Sequence, residues 1–159
     1  MFTRQHYEAL KFSNMQDNIL QLQNTVDNFI VIMPDLADWN VKPRPQKWSK
    51  KEIIGHLIDS AQINLQRFVR GTYEENFKLI YDQEEWVIAQ CYQDATVEEL
   101  LQLWRLLNLQ IIRVWKNYPP DRLQVKCDNS RNGVSLNTVE YLAQDYIVHL
   151  QHHLNQILN

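Results

Sequence analysis

Apolar residues recur along this chain mostly at three- and four-residue steps. Between Tyr7 and Met33 the positions Met15, Ile19, Leu22, Val26, Phe29 and Met33 repeat in that way, which predicts a first helix ended by Pro34. A second helix is predicted from Lys50 to about Arg70, on the stripe Ile54, Leu57, Ile58, Ala61, Leu65 and Phe68. Ser49 with Glu52 forms a capping box at its start, and Gly71 is placed to cap its end. "EEWVIAQCYQ" predicts a short helix. The segment from Asp94 to Tyr118 predicts a third long one, with Thr96 and Glu99 as its capping box and Pro119–Pro120 as its stop. The last helix is expected to start near Asn137 or Thr138 and to run almost to Asn159. Thr72 to Gln83 reads as a loop, and "DRLQVKCDNSRNGVS" as a polar turn region with a short extended piece.

Four long helices with irregular connections imply an all-α four-helix bundle, in which two connections are long enough to cross the bundle. The 159 residues fit a single domain, 1–159.

Composition narrows the function classes. The formal net charge of −3 gives nucleic acid no attractive surface. The longest apolar runs, such as Phe29 to Met33, fall far short of the roughly 18 residues of a membrane span. The start of the chain does not read as a signal peptide, so a cytoplasmic protein is expected. Cys91 and Cys127 are then expected as two reduced core thiols. Only Gly55, Gly71 and Gly133 occur, too few and too scattered for a phosphate-cradling loop.

The remaining chemistry lies in histidines. "YIVHLQHHLNQ" places three of the five at the end of the last helix. Its apolar stripe runs through Val139, Leu142, Ala143, Tyr146, Leu150 and Ile157. His153 falls inside this stripe, and His149 lies near its edge, about 40° from His153. His152 lies about 100° from His153, toward solvent. The i, i+4 pair His149 and His153 could share one ion. Asp145 or Gln156, each near the same line, could hold a ligand's second ring nitrogen. On the second helix His56 points roughly 150° from the apolar stripe, beside Ile53, Ser60, Ile63 and Arg67. That face could be wet, or it could be a second buried face, and periodicity does not choose. Asp59, one turn on, either accepts a hydrogen bond from the His56 ring or is a surface charge. His6 reads as solvated. Arg67 and Arg113 read as surface or bundle-edge residues, although either could hold an anionic substrate group.

Three motifs in order, "KWSKKEIIGHLIDSAQINLQRF", "YDQEEW" and "HLQHHLNQI", resemble the DinB-like metalloenzyme family, which includes YfiT-type thiol transferases. The resemblance covers nearly the whole chain. It implies a four-helix bundle, a homodimer, and one divalent metal held by His56, His149 and His153. Zinc, nickel or iron would suit three imidazoles. Three ligands leave an open position, which suits catalysis rather than structure. A thiol or water there would become a nucleophile near neutral pH. The resemblance therefore implies a metal-dependent thiol S-transferase, its partners a small thiol and a small-molecule electrophile. A metal-dependent hydrolase on the same site, or a non-enzymatic metal- or small-molecule-binding bundle, is the alternative. The family pattern often carries an aspartate just after the first histidine of the last motif. Here that residue is Leu150, so any support the aspartate gives is absent or replaced.

Overall fold

The computed structural model describes residues 14–32 and 37–159. The expected start of the first helix at Tyr7, its stop at Pro34, and His6 lie outside them. Four long helices form the bundle: α1 (Met15–Ile32), α2 (Lys50–Gly71), α4 (Val97–Lys116) and α5 (Val139–Leu158), with a short α3 (Gln83–Gln90) beside α2. α1 packs on α4 and α5, and so does α2. Helices consecutive in the chain therefore sit across a diagonal of the bundle, α1 from α2 and α4 from α5. A diagonal step needs a long connection, which is what residues 33–49 and 117–138 supply.

Local chemistry sets each helix start. The Ser49 hydroxyl accepts from the Glu52 amide at 3.2 Å, while the Glu52 carboxylate accepts from the Ser49 amide at 2.8 Å. Thr96 and Glu99 repeat that arrangement at α4. Thr138 caps α5 by accepting from the Tyr141 amide at 3.1 Å.

The end of α2 departs from expectation. Gly71 is the last helical residue, and the capping residue is Thr72 in a right-handed conformation. The glycine is needed for close approach instead. A β-carbon there would stand 2.5 Å from the Tyr118 hydroxyl and 2.8 Å from Val139 Cγ2.

The two irregular regions are stitched together by a small sheet; its middle strand falls where a short extended piece is expected, but its partners lie in segments read as loop and helix start. β1 (Phe77–Lys78) pairs in parallel with β2 (Lys126–Asp128), and β2 pairs antiparallel with β3 (Leu136–Thr138). Phe77 faces Cys127 in register, and Lys126 faces Thr138. β3 runs straight into α5.

The core joins the apolar stripes of the long helices around Phe29, Phe68, Trp104, Trp115 and Tyr146. Edge-to-face pairs hold it, with ring centroids 5.4 Å apart for Phe29–Trp104 and 5.1 Å for Phe68–Trp115. The buried Tyr146 hydroxyl donates to Asn108 Oδ1 at 2.7 Å. Leu150 belongs to this core and is fully buried. Cys127 is a core thiol, as expected, but Cys91 is exposed. It ends α3 in a left-handed conformation, φ 49°, on a helix that buries only Val87. Among the described residues no helix is long and apolar enough to cross a membrane.

Candidate metal centre

α2 is buried almost all round, because α4, α5 and α3 surround it. The face that periodicity left open is therefore dry. His56 on it is 1% exposed, and Asp59, Ser60, Asn64 and Arg67 are buried with it. Arg67 is thus an interior residue rather than a bundle-edge one. Arg113 is exposed and bonded to Gln110 on its own helix.

α5 brings His149 and His153 against His56. Their possible ligand atoms all lie within 4.8 Å of one another. Ring centroids are 5.1 Å apart for His56–His149, 4.8 Å for His56–His153 and 4.6 Å for His149–His153. The Nε2 atoms of His56 and His149 are 3.1 Å apart. That is the length of an N–H···N bond between neutral imidazoles. It is also close to the roughly 3.3 Å between two nitrogens bound to one tetrahedral zinc at about 2.0–2.1 Å.

The surroundings keep the three rings uncharged. Burial, with the neighbouring imidazole of His153, lowers the His56 pKa to about 4. Burial and the other three imidazoles lower that of His149 to about 3. Burial also lowers His153, opposed by its bond to Gln156. Neutral imidazoles are what a metal ion requires. His153 Nδ1 stands 2.9 Å from Gln156 Oε1, which fixes the ring proton on Nδ1 and leaves the Nε2 lone pair available. The Gln156 amide nitrogen in turn meets His152 Nε2 at 3.0 Å. His152 is exposed, as its angle on the helix implied. Gln156 thus holds the second ring nitrogen of one histidine of the cluster.

Asp59 and Asp145 do not make that contact. Asp59 Oδ1 accepts from the Tyr92 hydroxyl at 2.5 Å and from the Gln90 amide, so the carboxylate is engaged by the end of α3 and the turn after it. Gly55 permits this, because a β-carbon there would lie 2.0 Å from the Tyr92 ring. Burial raises the Asp59 pKa to about 6 against those two hydrogen bonds. Among the described residues, Asp59 Oδ2 and His56 Nδ1 are both buried without a hydrogen-bond partner. Asp145 lines a cleft with His149 and is not hydrogen-bonded to it among the described residues; desolvation in the cleft raises its pKa, opposed by Arg67.

Sequence reasoning missed three participants. Trp48 lays its indole 5.0 Å from the His56 ring. Tyr92 clamps Asp59, and Gln83 opens α3 between two cavities. Trp48 stands in the first of the three motifs, directly before the capping serine of α2, but nothing in the sequence signals its contact with His56. The first cavity, about 290 Å³, is bounded by His149 and polar groups of α2. The second, about 490 Å³, is bounded by His153, Gln156, Trp48 and Lys47. Gln83 lines both.

The DinB superfamily model matches residues 14–157. The chain belongs to the DinB superfamily. Solved structures of this fold agree. YfiT from Bacillus subtilis, described as a probable metal-dependent hydrolase with an unusual four-helix bundle topology, aligns with a TM-score of 0.83 at 18% identity. The alignment covers 93% of this chain and 87% of that one. A mycothiol-dependent maleylpyruvate isomerase aligns with a TM-score of 0.75 at 7% identity, over 91% of this chain and 61% of the isomerase. The DinB-like protein YjoA from Bacillus subtilis aligns with a TM-score of 0.57 at 15% identity, covering 92% of this chain and 87% of YjoA. No curated protein matches the sequence significantly. At these identities the structural likeness speaks for the DinB fold, and the site has to be argued from its own residues.

Proposed function

We propose that His56, His149 and His153 hold one divalent metal ion, and that this DinB protein is a metal-dependent transferase joining a small thiol to a small electrophile. The observation that carries the reading is the placement of three neutral imidazoles between two cavities, one reached past His149 and the other past His153. Two substrates need two approaches to one centre. The relationship in fold to a mycothiol-dependent enzyme supports the thiol.

The residues fit an ion. Their donors are three uncharged imidazole nitrogens, a set that suits zinc, nickel or iron. A divalent ion there would supply Lewis acidity, lowering the pKa of a thiol or water toward neutrality. The chain's own part is positional. Gln156 fixes the tautomer of His153, and burial keeps all three rings neutral. Trp48 packs its indole 5.0 Å from the His56 ring and lines the second cavity together with His153. Leu150 lies in the apolar core, so it gives the site no polar group.

A second reading is a metal-dependent hydrolase, favoured by the description of YfiT. One panel of electrophiles, assayed on zinc-loaded protein with and without small thiols, separates the two. Turnover that requires the thiol supports the transferase. Thiol-independent turnover supports the hydrolase. Bound metal with no turnover against any of the panel would leave a binding role.

A further inference from the structure

We infer that the cavity beside His149 seats a small carboxylate-bearing substrate, with Arg67 as the anchor of its carboxylate. This deepens the transferase reading and rests on it only for the position of the reacting end.

Arg67 follows His56 by eleven residues on α2. That is three turns, so both project from one face, about 16 Å apart along the axis. Long side chains on a helix lean toward its N-terminus, here toward His56. Ser60 and Asn64 stand between them, and the same cavity reaches His149. This is a polar ridge on a buried helix face. Groups of this kind are costly inside a protein unless something engages them.

The partners of Arg67 are neutral. Its Nε and Nη2 donate to the Leu79 carbonyl at 3.3 and 2.8 Å, and Nη1 donates to Asn64 Oδ1 at 3.2 Å. Those bonds use three of the five guanidinium N–H groups and fix the plane of the fork. The Cys127 side chain lies beside it, and Asp145 acts on it through space. Among the described residues no carboxylate comes within ion-pair distance, although Arg67 is 7% exposed. The other guanidinium of this cavity, Arg131, is exposed and pairs with Asp82 at 3.2 Å. A buried, oriented fork with no carboxylate in ion-pair contact among the described residues, opening on a cavity of about 290 Å³, matches a planar oxyanion on a small molecule.

The test titrates succinate, its dimethyl ester and inorganic phosphate into protein stripped with a chelator and into the same protein reloaded with zinc. Calorimetry reads binding and elemental analysis reads zinc. Succinate is expected to bind both forms, and the ester neither. Arg67→Gln is expected to weaken succinate by at least about tenfold at unchanged zinc content, the loss of one charge-assisted pair. Arg67→Lys, which keeps the charge without the fork, should fall between. Asp145→Asn, which removes a negative charge from the cavity, should tighten succinate even if Arg67→Gln does not fold. The inference is overturned if succinate does not bind, if the ester or phosphate binds better, if Arg67→Gln binds as wild type does, or if Asp145→Asn leaves succinate unchanged or weaker. Failure of the metal reading shows separately, as absent zinc uptake, while the stripped protein still reports on Arg67.

Discussion

α2 has two buried faces, and they are built to different ends. One carries Ile54, Leu57, Ile58, Ala61 and Phe68 into the common core, where aromatic edges and aliphatic side chains fill the space. The other carries His56, Asp59, Ser60, Asn64 and Arg67, equally dry but polar. On the first face burial is itself the stabilising term. On the second, burial leaves His56 Nδ1 and Asp59 Oδ2 without partners and shifts the pKa values of His56 and Asp59. Unpartnered buried atoms also occur in the core, at the Trp104 and Trp115 indole nitrogens, but on the polar face of α2 they belong to titratable groups, which is where chemistry can be held.

The contrast can be broken most sharply by metal. His56→Ala and His149→Ala should each take bound zinc from near stoichiometric to near zero by elemental analysis, with far-UV circular dichroism unchanged. Full occupancy in both variants would end the ligand assignment. On the opposite face, Leu57→Ala should cost about 2–5 kcal/mol in urea unfolding, from lost burial and a cavity. The polar face should show no comparable loss when His56 is truncated.

The third effect is one of pH, in metal-free protein. Asp59 has a folded pKa near 6, above its ordinary value near 3.8. Its contribution is therefore most favourable below pH 4 and is lost as pH rises through 6. The lowered histidines act oppositely, since they stabilise the fold above their ordinary pKa of about 6.5 and lose that as pH falls. Comparing Asp59→Asn with wild type cancels the histidines. The stability difference should move in favour of the variant by roughly 2–3 kcal/mol between pH 4 and 7. A flat difference would mean that Asp59 titrates normally. The smallest effect belongs to Gln156→Ala, which should weaken zinc up to about tenfold, because the amide only orients His153 from an exposed position.

Much of this was legible in the chain. Capping boxes and three- and four-residue steps gave the helices, since both are local physics. The pairing of His149 with His153, and the removal of His152, followed from angles on one helix. His56 did not follow from angles; it came only from the resemblance of the motifs. Its face became interior only because α3, α4 and α5 enclose α2, and that enclosure is not encoded in α2's own periodicity. Arg67 looked like an edge residue for the same reason. Gly71 looked like a cap because its use, contact with Tyr118 and Val139, involves segments far along the chain. Of the small sheet only the extended piece around Lys126–Asp128 was expected; its pairing was hidden, because strands of two and three residues are too short for an alternating pattern to show.

That sheet also governs where the chain can change in length. β3 passes directly into α5, and its pairing with β2 fixes the rotational phase at which α5 begins. One residue inserted between Thr138 and Tyr146 would turn His149 and His153 by about 100° and aim them away from His56. Between β2 and β3, by contrast, residues 129–135 form a turn largely open to solvent, with Gly133 at φ 80°. Insertions there leave the phase untouched. Within this half of the chain, the turn can change in length without rotating α5, provided Asn129 and Arg131 keep their places in the cavity beside His149, while the stretch from β3 to His153 has to keep its count.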